Sequence, residues 1–174
     1  MKKSILLLLL VAVISFSYSS GWHNIKSDQP GPVTIELVSS NVNTSTFTVT
    51  LDGFLKQEVM TPRGNAFVIG LEEATPILRE GAPDIPKTSA SLVIPDAGKM
   101  SVQVTGEKYT LVENILIAPS KGNLTRDVDP STVPFEYGEE YTHDSYFPGK
   151  LVELRQPYII RDVRGQAVVI YPFQ

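Results

Sequence analysis

The chain has no cysteine among its 174 residues. That excludes disulfides, a thiol nucleophile and thiolate metal ligands, so the fold must be held by its core. Histidine is nearly as scarce. His23 and His143 are the only two, and neither has a second histidine at zinc-ligand spacing. Basic residues are few and dispersed, 15 against 19 acidic. Without a cationic cluster there is little to neutralise phosphates, so nucleic acid and anionic membrane surfaces are poor partners. A Gly-x-Ser-x-Gly elbow and a phosphate-binding loop are both missing. The sequence therefore offers no catalytic residues, no cofactor and no metal site.

One long apolar run is present, at the start. Met1-Lys2-Lys3 precedes "SILLLLLVAVISF" and then "SYSSG". A positive end, a short apolar stretch and small residues beyond it predict a secretory signal peptide over residues 1–21. The run falls short of the ~20 apolar residues that span a bilayer, so no stable membrane insertion is expected after cleavage between Ser19 and Trp22. Loss of Lys2 and Lys3 moves the net charge from −4 to −6. About 150 residues remain, enough for one domain with a core.

Residues 22–32, including "HNIKSDQPGP", are polar and turn-rich and read as a flexible leader to a domain over 33–174. Within that domain short β-branched or alternating runs recur. They are 33–39, 46–55, 65–71, 90–95, 100–104, 108–118, 150–154, 157–163 and 166–173. Phe47, Val49 and Leu51 alternate with Thr46, Thr48 and Thr50, the period of a half-buried strand. Turn chemistry separates the runs at 61–64, 80–83, 95–98 and 164–165. The nearest approach to a helix, "LEEATPILRE" (71–80), is broken by Pro76. Short strands at close spacing predict an all-β fold, an antiparallel β-sandwich or barrel-like domain.

A long aperiodic segment, 119–149, interrupts this pattern. It holds Phe135, Tyr137, Tyr141, Tyr146 and Phe147, too aromatic for a disordered tail, and is expected to be an ordered excursion. Within it "APSKGNLTRDVDP" (118–130) sets Lys121 and Arg126 in a turn-forming loop. Arg126 can be an exposed loop arginine, a local partner of Asp127 or Asp129, or a cation offered to another molecule. Gly122 suits a turn with positive φ. Arg161, Asp162 and Arg164 read as ion pairs on a sheet surface or as contacts with a partner. Asp127, Asp129, Glu136, Glu139, Glu140 and Asp144 read as a solvated acidic face, without a calcium-loop ladder. The aromatics Phe135, Tyr137, Tyr146 and Phe147 serve packing or anchor an interface.

Several co-linear blocks carry a resemblance. "GAPDIPKTSASLVIPDA" (81–97), "ENILIAPSKGNLTRDVDPSTVPFEYGEEYTHDSYFPGKLVEL" (113–154) and "QPYIIRDVRGQAVVIYPFQ" (156–174) resemble the N-terminal propeptide of gingipain-type cysteine peptidases of Bacteroidetes. The resemblance implies a β-sandwich pro-domain that covers the active site of a caspase-like catalytic domain, in cis or in trans. It would keep that domain latent and assist its folding. It also implies export to the periplasm and, by type IX secretion, to the cell surface or beyond. Arg126, or Lys121, falls where such a pro-domain is expected to plug the specificity pocket of the peptidase. The chain stops on the strand-like "GQAVVIYPFQ", so the propeptide is expected to continue past Gln174. A free-standing secreted β-sandwich module for binding or adhesion is the alternative.

Overall fold

The computed structural model describes residues 20–174. The expected signal peptide lies outside the described residues except for Ser20 and Gly21. All ten strands pair antiparallel, and no α-helix forms among the described residues.

The first sheet has the order β1-β4-β5, from β1 (Ser20–Asn24), β4 (Gly53–Thr61) and β5 (Gly64–Gly70). Strands β4 and β5 are joined by Pro62-Arg63, and Gly64 takes a φ of 98°. That left-handed value is open to glycine at little cost, which is why the hairpin turns here. A second hairpin, β2 (Thr34–Ser40) with β3 (Ser45–Thr50), is mostly exposed on both faces. The five-stranded sheet runs β6-β7-β10-β8, with β9 also on β10. Its members are β6 (Thr75–Pro76), β7 (Pro86–Val93), β8 (Val152–Leu154), β9 (Tyr158–Ile160) and β10 (Val163–Ile170).

The core forms where period-two apolar positions meet. Phe54 of β4, Ile69 of β5, Leu71 and Ile85 make one buried cluster. Ile115, Ile117, Phe147 and Phe173 close over it. Phe54 packs edge-on to Phe173 at 5.3 Å and tilted to His23 at 4.7 Å between ring centroids. Burial and the nearby Lys56 charge hold the His23 imidazole below its ordinary pKa.

Three expectations need correction. Residues 22–32 do not form a free leader. Trp22, His23 and Asn24 pair with β4, and the amides of Ile25, Lys26 and Ser27 all donate to the Asp52 carbonyl. Polar composition hid this, because the attachment runs through backbone groups and through Trp22, whose indole donates to the Ser27 carbonyl at 2.8 Å. The run at 46–55 is two strands, β3 and β4, divided at Leu51-Asp52. Most of 100–118 is not strand, despite its alternating apolar residues. Val104, Tyr109 and Leu111 are exposed, and β-propensity yields a strand only where a neighbour accepts its hydrogen bonds. Only its end finds one, where Leu116 accepts from and Ala118 donates to Phe67, bridging Ile117 to it.

Candidate functional site

The excursion is planted by a short ladder of backbone hydrogen bonds. Ala118 donates to Phe67, Asp84 to Ala118, Ser120 to Ala82 and Gly81 to Ser120, all within 2.7–2.9 Å. The next rung, Gly138 to Gly81 at 2.9 Å, returns the chain to the same place. Glycine is needed at both ends of that rung. A Cβ on Gly81 would lie 3.1 Å from the Gly138 backbone. Ala118, Pro119 and Ser120 are buried, so the root is fixed in the core.

From that root residues 121–130 project as a loop. Its tip is the turn Thr125–Val128, closed by the Val128 amide on the Thr125 carbonyl at 3.1 Å. Arg126 occupies the second position of this turn and is exposed. The ion pairs of the described residues join Arg79 to Glu139 and Glu140, and Lys150 and Arg155 to Glu153. Arg126 takes part in none of them, so neither Asp127 nor Asp129 holds it. Lys121 is placed differently. Its ammonium donates to the Pro130 carbonyl at 2.7 Å and sits 4.2 Å from the centre of the Phe135 ring.

The two aspartates serve the loop itself. Asp129 caps the 3₁₀ turn Pro130–Thr132, accepting from the Ser131 amide at 2.8 Å. The hydrogen bond from Ser131 holds its carboxyl below the ordinary range, and one from Thr125 does the same for Asp127. A depressed carboxylate pKa stabilises the folded form above the unfolded-state value, and that contribution disappears as pH falls through the folded-state value. Amide exchange at Val128 and Ser131 is therefore expected to speed up below about pH 4, relative to core amides. An unchanged ratio between pH 6 and pH 2.5 would remove the carboxylates from the account.

The return limb is clamped at two points. Tyr137 shares a 2.7 Å hydrogen bond with Thr61, stacks edge-on with Tyr141 at 4.7 Å and lies beneath the Arg63 guanidinium at 4.1 Å. Tyr141 donates to the Ile117 carbonyl, and burial pushes its phenol well above the ordinary tyrosine value. Arg79 reaches Glu140 at 2.7 Å and stands over Phe147. Of the four aromatics singled out by sequence, Phe135, Tyr137 and Phe147 are half-buried against the domain, while Tyr146 is 80% exposed. Among the described residues no group of three His, Asp or Glu side chains gathers to hold a metal ion.

Sequence reasoning missed the work of three cations. Arg63 in a turn, and Lys121 beside a glycine, carry no signal of the tyrosines and carbonyl they engage. Arg164, read as a surface ion-pair member, donates to the Pro95 and Gly98 carbonyls, both at 2.7 Å, and so holds the turn after β7. Arg161 lies in the β9–β10 turn with a φ of 57° rather than within a strand.

Comparison with known proteins places this arrangement. A family model described as Propeptide_C25 matches residues 26–174. Gingipain R1 of Porphyromonas gingivalis is 40% identical over 124 residues, 71% of this chain and 12% of that protein. Gingipain R2 of the same species is 36% identical over 140 residues, 80% of this chain and 19% of that protein. The chain thus spans less than a fifth of either relative. Among solved structures, a complex of the pro- and mature domains of P. gingivalis RgpB matches with TM-score 0.76 and 36% identity. The match covers 79% of this chain and 73% of that one. A structure concerned with zymogenic latency of gingipain K, from the same species, has TM-score 0.69 over 88% of this chain and 86% of its own. At 21% identity it attests the shared fold alone.

Proposed function

Because the chain belongs to the family of gingipain-type cysteine peptidase propeptides, Propeptide_C25, we propose that it binds a caspase-like cysteine peptidase catalytic domain and keeps it latent. The loop 121–130 enters the substrate cleft, and Arg126 fills the specificity pocket. The observation that carries this reading is the contrast within the loop. Its root is bonded to the domain and its neck is tied by Lys121 to Pro130, whereas the guanidinium at its tip is exposed and unpaired. Such a group presents five donors in a rigid fork that matches a carboxylate. Of the two candidate cations Arg126 is the plug, because Lys121 is engaged with Pro130 and Phe135.

Tyr146, exposed on the return limb, supplies an aromatic anchor beside the cleft. Phe135, Tyr137 and Phe147 support the surface from beneath. The interface is of the size common to protease–inhibitor pairs, ~1,600 Å² in total. The two larger sheets pack as a sandwich that carries the loop. Residues 1–21 direct export to the periplasm and onward to the cell surface, and the bound domain assists folding of the peptidase.

The test is a titration of a gingipain R catalytic domain with the purified chain. Competitive loss of activity against an arginyl substrate is expected, with one chain bound per catalytic domain. Full activity at saturating chain, with no complex by sedimentation, would sink the proposal.

A further inference from the structure

The two ends of the loop meet through one side chain. Among the described residues, the Lys121–Pro130 hydrogen bond is the only one that joins the outgoing limb of the loop to its returning limb below the tip. It spans nine positions, and the same ammonium rests on Phe135 at 4.2 Å. The neighbours on both sides are already rigid. Ser120 is buried and bonded to Gly81 and Ala82. Gly122 takes a φ of 80° and runs so close to Glu80 that a Cβ there would approach its side chain to 3.2 Å. On the far side the Asp129 cap fixes Ser131. The turn at Thr125–Val128 is held by one backbone hydrogen bond of its own.

A peptide is cut only when its backbone lies extended along the cleft, where main-chain hydrogen bonds align the scissile carbonyl. A loop tied across its neck cannot open into that form without breaking the tie. We propose that Lys121 is a positioning residue, a strap that holds the Arg126 turn closed so that the loop offers its guanidinium but resists cleavage after it. In this role the strap acts in two ways. It removes loop entropy before binding, which favours association. It also keeps the Arg126–Asp127 peptide bond out of extended geometry. Lys121 is thereby assigned to the neck of the loop and not to the pocket. The benefit to inhibition rests on the plug reading above, but the resistance to cleavage is a property of the chain alone.

The experiment uses trypsin as a generic arginine- and lysine-directed probe and follows cleavage of the Arg126–Asp127 bond by mass spectrometry in the purified chain. K121M keeps an apolar stem over Phe135 and loses the charged donor. It is expected to be cut at that bond ~3–10-fold faster than wild type, the range of one exposed charged hydrogen bond and cation–π contact. K121R restores a cationic donor and returns the rate towards wild type. Cleavage after Lys108, outside the loop, serves as the control and should not change. Equal rates for K121M and wild type, or an equal acceleration at Lys108, would overturn the strap. A parallel titration of a gingipain R catalytic domain separates the two readings. Faster tryptic cleavage of K121M with no inhibition by wild type leaves the strap standing and removes the plug. Unchanged cleavage with full inhibition does the reverse.

Discussion

Arg126→Ala is expected to weaken inhibition of an arginine-directed gingipain-type peptidase by at least ~30-fold, with the stability of the chain unchanged. The size follows from truncating one partner of a buried charged pair, which costs ~2–5 kcal/mol, each 1.4 kcal/mol being about tenfold. Much of that cost falls on the peptidase, whose pocket would keep an unpaired charge. Folding should not notice, since Arg126 is exposed and outside every ion pair of the described residues. Arg126→Lys should recover only part of the loss, because an ammonium cannot reproduce a planar two-pronged contact. The comparison of inhibition constants for the three proteins, alongside their melting temperatures, decides the matter. Inhibition by the alanine variant equal to that of wild type would refute the plug.

Phe54→Ala is expected to cost ~3–5 kcal/mol of stability, the usual range for emptying a buried phenylalanine site. Phe54 is 3% exposed. Its ring joins parts of the chain that are far apart in sequence: His23 of β1, Ile69 of β5, Ile85, and Phe173 close to the last residue. Removing it leaves a cavity among the side chains of the buried cluster, His23 and Phe173. Against the 5–15 kcal/mol typical of a domain, the variant would be marginal and its urea midpoint should fall steeply at constant slope. A shift worth less than about 1 kcal/mol would mean that the first sheet is not where the core lies.

The two variants probe separate properties, because Arg126 is exposed at the loop tip and outside every ion pair of the described residues, whereas Phe54 lies in the buried core cluster. Weak inhibition with normal melting and low melting with normal inhibition are both expected outcomes. This separation follows from rooting the excursion by backbone bonds on the free edge of β5 while Arg126 at its tip stays exposed.

What the sequence determined by itself was local. Period-two alternation and turn residues set most of the strands, including β2, β5 and β10, and Thr61-Pro62-Arg63-Gly64 foretold the hairpin where Gly64 turns left-handed. Absence of cysteine removed thiol chemistry outright, and co-linear blocks from Gly81 to Gln174 pointed to the family. The tertiary structure decided what depends on a neighbour. It attached Trp22–Asn24 to β4 through backbone bonds that any sequence can make. It left 100–112 without a partner although the pattern suits a strand. It also drew Lys121 back onto Pro130 and Phe135 while leaving Arg126 free. Two cations in one loop look alike in sequence. The physical difference between them is which one the fold brings within reach of a carbonyl and an aromatic face.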